Sequence, residues 1–108
     1  MKILSIESFM LLFPLGVNSE AVGERKTNLQ FRFSGEVIDS CYFIIEQGNI
    51  AAEKGVKENP DITIETPFEI WMDIITGKAD GQQMFMEQKY TVNGDLPLMI
   101  QLFQKQTN

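Results

Sequence analysis

The residues of this chain whose types and spacing could do chemistry are its carboxylates. Glu65 with Glu69, and Glu69 with Asp73, stand four apart, and general acid–base work needs two such groups converging on one substrate. Each of these acids instead falls on a polar surface or at a helix start, so they read as solvated faces. Asp80 and Asp95 each precede an apolar helical pattern and are caps first. The stretch TGKADGQQ (residues 76–83) lacks the glycine spacing of a phosphate-cradling loop. There is no histidine, which removes the usual general base, the Ser-His and Cys-His nucleophiles and the commonest zinc ligand. A metal site would have to be all-oxygen, and no ladder of acids at calcium-loop spacing is present. Cys41, the single cysteine, lies in the apolar run CYFII and reads as a buried structural thiol in a reducing, cytoplasmic setting. An enzyme has no residues to stand on here.

Soft apolar bulk is what the chain has in excess. Of six methionines, four lie between residues 72 and 99, and methionine suits irregular hydrophobic surfaces. The segment TPFEIWMDIITG, residues 66–77, spells out a helix. Thr66 and Glu69 make a capping box, Pro67 takes the first helical position and Gly77 is the left-handed stop. Within it Phe68, Ile70, Trp71, Met72, Ile74 and Ile75 are apolar, and only Glu69, Asp73 and Thr76 form a polar stripe. A helix covering a sheet needs an apolar arc of ~100°, and this one has roughly twice that. Glu69 and Asp73 should therefore be its most exposed side chains, and Trp71 should be buried.

Around this helix the hydrophobic period sets the other elements. Leu29, Phe31 and Phe33 alternate with Gln30, Arg32 and Ser34, a half-buried strand. SCYFIIEQ reads as a strand buried on both faces. A turn at Gln47-Gly48-Asn49 returns the chain as a third strand, and DITIE (61–65) is a fourth with Ile62 and Ile64 inward. Asp80 and Gln83 open a second helix bearing Met84, Phe85 and Met86. Tyr90 and Val92 mark a fifth strand, and Asp95 caps a last helix with Leu98, Met99, Leu102 and Phe103 on one stripe. Residues 18–25, NSEAVGER, read as a short helix or turn. Strands first and helices last make an α+β domain with helices stacked on a five-stranded sheet.

At 108 residues with 44% apolar content the chain reads as one globular domain. A net charge of −6 repels phosphates, so nucleic acid and anionic membrane surfaces are poor partners. The opening MKILSIESFMLLFPLGV carries Glu7 inside its apolar run and Pro14 across it, and no small-x-small site follows. It reads as an apolar N-terminal arm or short helix over residues 1–17, neither a cleaved leader nor a membrane span.

GKADGQQMFMEQKYTVNGDLPLMIQL resembles the C-terminal signature of the sterol carrier protein type-two domain family: Gly-Lys, a polar helix start, Phe-Met, an alternating strand, Gly-Asp-Leu, then an apolar helix. PDITIETPFEIWMDIITG is similar to the part before it, and FRFSGE and IEQGN match in placement. The likeness covers about residues 20–105 and is closest to short prokaryotic versions, some of them fused to flavoproteins. Gln88 departs from it, standing where the family has glycine after Phe-Met-x; a left-handed helix end there would cost ~1 kcal/mol.

The resemblance implies strand order 3-2-1-4-5, no catalytic residues, no cofactor, and an apolar tunnel between sheet and helices. Its ligand would be a fatty acid, a fatty acyl group, an isoprenoid or a sterol-like lipid. Trp71, Met72, Ile75, Met84, Phe85, Met99, Leu102 and Phe103 would line it, with Phe9, Leu12 or Phe13 as a lid. A second reading stays open: an interaction module, a homodimer or the partner of a flavoprotein, with its second apolar face as the interface. A vacant pocket of ~300 Å³ at ~24 cal/mol per Å³ would cost roughly 7 kcal/mol, against ~5–15 kcal/mol for a whole domain. The space must therefore hold lipid, admit water, collapse inward or take side chains from a second subunit.

Overall fold

The computed structural model describes residues 5–17 and 25–103. Helix α1 (Ile6–Leu12) runs into a 3-10 turn (Phe13–Gly16). Strands β1 (Thr27–Ser34), β2 (Asp39–Glu46), β3 (Asn49–Lys54) and β4 (Ile62–Pro67) precede α2 (Phe68–Ile75) and α3 (Gly81–Met86). Strand β5 (Thr91–Gly94) and α4 (Leu96–Phe103) complete the order. The five strands form one mixed sheet in the order β3-β2-β1-β4-β5, as the resemblance implied. Residues 18–24, most of the expected short helix or turn, lie outside the described residues.

β1 is central because its neighbours are fixed on both sides. It pairs antiparallel with β2, Leu29 opposite Phe43, and parallel with β4, Phe31 opposite Ile64. The β2–β3 turn places Gln47 and Gly48 at φ 49° and 82°, two left-handed residues as a two-residue hairpin loop requires. Register then puts Leu29, Phe31, Phe33, Cys41, Phe43, Ile45, Ile62 and Ile64 together on the helix-covered face, all buried.

Three local expectations change. Thr66 does not cap α2: it pairs with Phe33 as part of β4, its hydroxyl donates to the Pro67 carbonyl, and the helix starts at Phe68. The strand ladder outcompetes the capping box because β4 extends to Pro67. Glu69, released from that role, accepts the Glu36 N–H at 3.0 Å and ties α2 to the β1–β2 turn. Glu69 and Asp73 are half-buried, in the same range as Ile70, Ile74 and Ile75, so the polar stripe does not stand clear as an exposed face. Finally, β2 is not buried on both faces. Cys41, Phe43 and Ile45 are buried while Tyr42 and Ile44 remain half-exposed, because every described helix lies on the other side.

One polar side chain on that far face is nevertheless fully buried. The Gln30 amide nitrogen donates to the carbonyls of Phe31, Cys41 and Gly55, and its oxygen accepts the Lys57 N–H at 2.7 Å. These bonds clamp the loop after β3 onto the sheet and offset the cost of desolvating the amide.

The helix termini follow their sequence signals more closely. Asp80 and Asp95 cap α3 and α4 by accepting the N–H groups of Gln83 and Leu98. α2 ends in left-handed Gly77. α3 ends at Gln88, which sits at φ 61° with its N–H bonded to the Phe85 carbonyl. Replacing Gln88 by Gly is expected to raise stability by ~0.5–1 kcal/mol, measured by urea unfolding; an unchanged or lower midpoint would show that the Gln88 side chain contributes contacts that outweigh the strain.

Candidate functional site: the aromatic floor and its cover

Phenylalanines of β1 and β2 form the floor of the helix layer. Phe31, Phe33 and Phe43 all face the helices, with ring centroids 5.5 Å apart for Phe31–Phe33 and 5.8 Å for Phe31–Phe43. Phe9 of α1 is inserted among them, fully buried, with centroids 5.1 Å from Phe31 and Phe33 and 5.8 Å from Phe43. Phe13 lies beside it, 4.7 Å from Phe43 and 5.1 Å from Phe31. Edge-to-face geometry at these distances is favourable beyond area burial alone. The residues of α1 thus fill the inner face of the sheet over β1 and β2.

Trp71 continues this layer over β1 and β5. It is buried, 5.2 Å from Phe31 and 5.4 Å from Tyr90. Tyr90 packs on Phe85 and donates its hydroxyl hydrogen to the Gly81 carbonyl at 2.8 Å, which fixes the start of α3 against β5. Burial, then the nearby negative charge of Asp80, pushes the Tyr90 phenol above its ordinary pKa.

The residues expected to line a pocket fall into two sets. Trp71, Met72, Met99 and Leu102 are buried in one core cluster with the floor. Ile75, Met84 and Phe85 are only half-buried and pack against that cluster from α2 and α3. Phe103 ends α4, and its side chain lies outside the described residues. Of the three lid candidates Phe9 and Phe13 point inward, while Leu12 is 40% exposed and faces away.

Helix α3 has no buried residue at all although it carries Met84, Phe85 and Met86. With Ile74 and Ile75 of α2 it forms a half-covered apolar seam beside Trp71 and Tyr90. An open depression of about 480 Å³ is lined by the α3 residues Gln82, Gln83 and Met86 with Asp80 and Glu87, and none of the expected lining residues contributes to it.

Sequence reasoning missed Lys54. It is in register with Cys41, hence on the helix side of β3, and it forms an ion pair with Glu7 of α1. Each partner stabilises the other's charged form: the hydrogen bond to Lys54 lowers the Glu7 pKa, and that to Glu7 raises the Lys54 pKa. Period-2 counting through β3 would have put a lysine on the inward phase, which was the available signal.

Cys41 sits on the floor beneath these groups, buried, its thiol pushed up to about 12 by desolvation and then by Asp39. Set against the ordinary thiol value of 9.0, three pH units separate folded from unfolded thiol. Alkylation at pH 8 is therefore expected to run roughly a thousand-fold slower on the folded chain, since only thiolate reacts. Equal rates with and without denaturant, followed by mass spectrometry, would contradict this burial. The sign for stability is that folding keeps the proton on. The advantage is complete below about pH 9 and is lost as pH rises from there toward 12.

Among the described residues no three His, Cys, Asp or Glu side chains converge as metal ligands, and no described helix is long and apolar enough to cross a membrane.

The model of the SCP-2 sterol transfer family matches residues 17–105. No curated protein matches. Among solved structures, this chain is similar to Sterol Carrier Protein 2 Like 2 of Aedes aegypti, with TM-score 0.65, 18% identity, 87% of this chain and 86% of that chain covered. It is similar to Sterol Carrier Protein 2 of Yarrowia lipolytica in its apo form, with TM-score 0.62, 21% identity and coverage of 74% and 66%. It also matches the stereoselective inverting sec-alkylsulfatase Pisa1 from Pseudomonas sp., with TM-score 0.77, 15% identity and 93% of this chain covered. There the likeness spans only 16% of the sulfatase chain. At these identities the structural matches establish the fold.

Proposed function

The chain belongs to the SCP-2 sterol transfer family, and from that membership and its aromatic floor we propose that it binds and carries a hydrophobic ligand between sheet and helices. The ligand class is a fatty acid, a fatty acyl group, an isoprenoid or a sterol-like lipid. The chain performs no catalysis of its own and needs no cofactor.

One observation carries this reading: α2 covers part of the floor of Phe31, Phe33 and Phe43 through Phe68 and Trp71, and the remainder, with Phe43, is covered by Phe9 of a short helix and Phe13 of the turn after it. A helix of seven residues is marginal on its own. Burying Ile6, Phe9 and Phe13 contributes ~1.5–3 kcal/mol each, while ordering the backbone of α1 costs ~1–2 kcal/mol per residue. The Glu7–Lys54 pair is exposed and screened by solvent, so it adds little. The burial gain and the ordering cost are of the same order, so α1 is held by a small margin, and lifting it leaves a floor that something apolar must cover. The half-covered residues Ile75, Met84 and Phe85 pack against the cluster that holds Trp71, Met72, Met99 and Leu102, which with Phe103 make up the rest of the proposed lining.

The test is native mass spectrometry of freshly purified protein, with extraction and mass analysis of whatever it carries. A hydrophobic adduct of lipid mass is the expected result. A lipid-free chain that also fails to bind a fluorescent fatty acid at micromolar concentration would end the carrier reading.

A second reading is favoured by the outer side of α1 and its following turn, where Leu11 is 77% and Leu15 82% exposed. A second copy of the chain, or a larger partner protein such as a flavoprotein, would cover them. The same spectrum reports subunit count and separates the two readings.

A further inference from the structure

α1 offers the sheet two things at once. With the turn that follows, it lays two phenyl rings, Phe9 and Phe13, on the aromatic floor, and from its first turn it extends the Glu7 carboxylate to Lys54 at the edge of the same face. An apolar body with one carboxylate at its end is the chemical description of a fatty acid. Lys54 is suited to the head of such a ligand by register: in line with Cys41, it stands on the helix side of β3, with its ammonium still half open to solvent. Among the described residues no buried core side chain is cationic; the buried polar ones are Thr27, Gln30 and Thr66.

Resting on the lipid-binding reading, we propose that α1 is an internal stand-in for an anionic lipid and that Lys54 is the residue that selects the anionic head group. In the ligand-free chain Glu7 occupies Lys54 while Phe9 and Phe13 occupy the floor. A single-chain carboxylate lipid displaces both together, its chain taking the place of the rings and its carboxylate taking the place of Glu7. A neutral lipid displaces only the rings and leaves Lys54 without a partner once α1 has lifted. The chain therefore prefers acids to alcohols of equal length, and Glu7 sets how strongly the ligand must compete.

The experiment titrates the full chain with hexadecanoate and with hexadecan-1-ol, read by calorimetry and by the fluorescence of Trp71, the one tryptophan of the sequence. The wild type is expected to favour the acid by roughly three- to five-fold, the discrimination an exposed ion pair supplies. Lys54→Met should bring the acid-to-alcohol ratio to about one, Lys54→Arg should retain it, and added salt should shrink it. Glu7→Gln should strengthen the binding of both probes and leave the ratio close to that of the wild type, because lifting α1 no longer breaks an ion pair for either ligand. Thermal melting of each variant establishes that it is folded, and salt dependence in the wild type gives the same answer without a mutation. A ratio near one in the wild type, or a ratio unmoved by Lys54→Met, would overturn the role of Lys54 while leaving the carrier reading intact. Affinities that Glu7→Gln fails to raise would overturn the competition by α1. Binding of neither probe would overturn this inference and the carrier reading together.

Discussion

Replacing Gly94 by alanine is expected to lower the melting temperature by more than ~10 °C, the largest effect of any single methyl group in this chain. Gly94 is at φ 113°, and a Cβ there would lie 2.0 Å from the Asp61 carbonyl oxygen and 3.0 Å from the Ile62 Cα. The neighbouring atoms are backbone and cannot rotate away. That carbonyl also accepts the Asp95 N–H at 3.1 Å, and the Asp61 carboxylate accepts the Asn28 N–H at 2.8 Å. One junction thus holds the starts of β1, β4 and α4 and the end of β5. Left-handed strain of ~1–3 kcal/mol adds to the cost of forcing these strands apart, so a loss of roughly 3–5 kcal/mol is expected, with ~4–8 °C per kcal/mol for a domain near this size. A drop of less than ~3 °C in calorimetry would mean that the β4–β5 pairing adapts where the geometry says it cannot.

Phe9→Ala should have the next largest effect, and its distribution is the informative part. Truncating a fully buried phenylalanine costs ~3–5 kcal/mol. If α1 is a separable cover, that cost falls on the docking of α1 and not on the sheet. Opening of residues 5–17 to protease should then rise by about a hundred-fold or more, while unfolding followed through Trp71 shifts by less. Affinity for a fluorescent fatty acid should rise as well, since its competitor is weakened. A full 3–5 kcal/mol loss in the cooperative transition at Trp71, with no separate opening of α1, would make α1 an integral part of the core and remove the basis for ligand exchange at the floor.

The sheet and its caps were legible because they depend on near neighbours. The phases of β1 and β4, the Asp80 and Asp95 caps and the Gly77 stop each follow from residues within a few positions. The strand order came from the resemblance, which also flagged Gln88, and φ 61° there shows why glycine is the natural occupant. What was illegible depends on distant segments. Alternation puts Gln30 on the open side of the sheet, and only the loop at Gly55–Lys57, folding across from 25 residues away, buries it. Thr66 carries a true capping signal that the β1 ladder overrides. Phe9 and Leu12 are equally apolar by sequence, and only the angle at which α1 meets the floor decides which is inside. Lys54 and Glu7 are ordinary surface charges until β3 and α1 are placed side by side.

The central position of β1 also orders events in time. β1, β2 and β3 form a meander of short closures that can assemble soon after synthesis, whereas the parallel β1–β4 pair joins segments such as Asn28 and Asp61 that are 33 residues apart. Long-range parallel pairing is slow because loop closure must precede its reward. Until β4 arrives, one edge of β1 and the whole phenylalanine floor stand open, and a nascent chain in that condition is prone to aggregate. α1, synthesised before the strands, is already at hand to cover the floor during that interval. Deleting residues 1–17 should consequently lower the yield of soluble protein on rapid refolding more than it slows the folding of molecules that escape aggregation, and light scattering during stopped-flow dilution would register the difference.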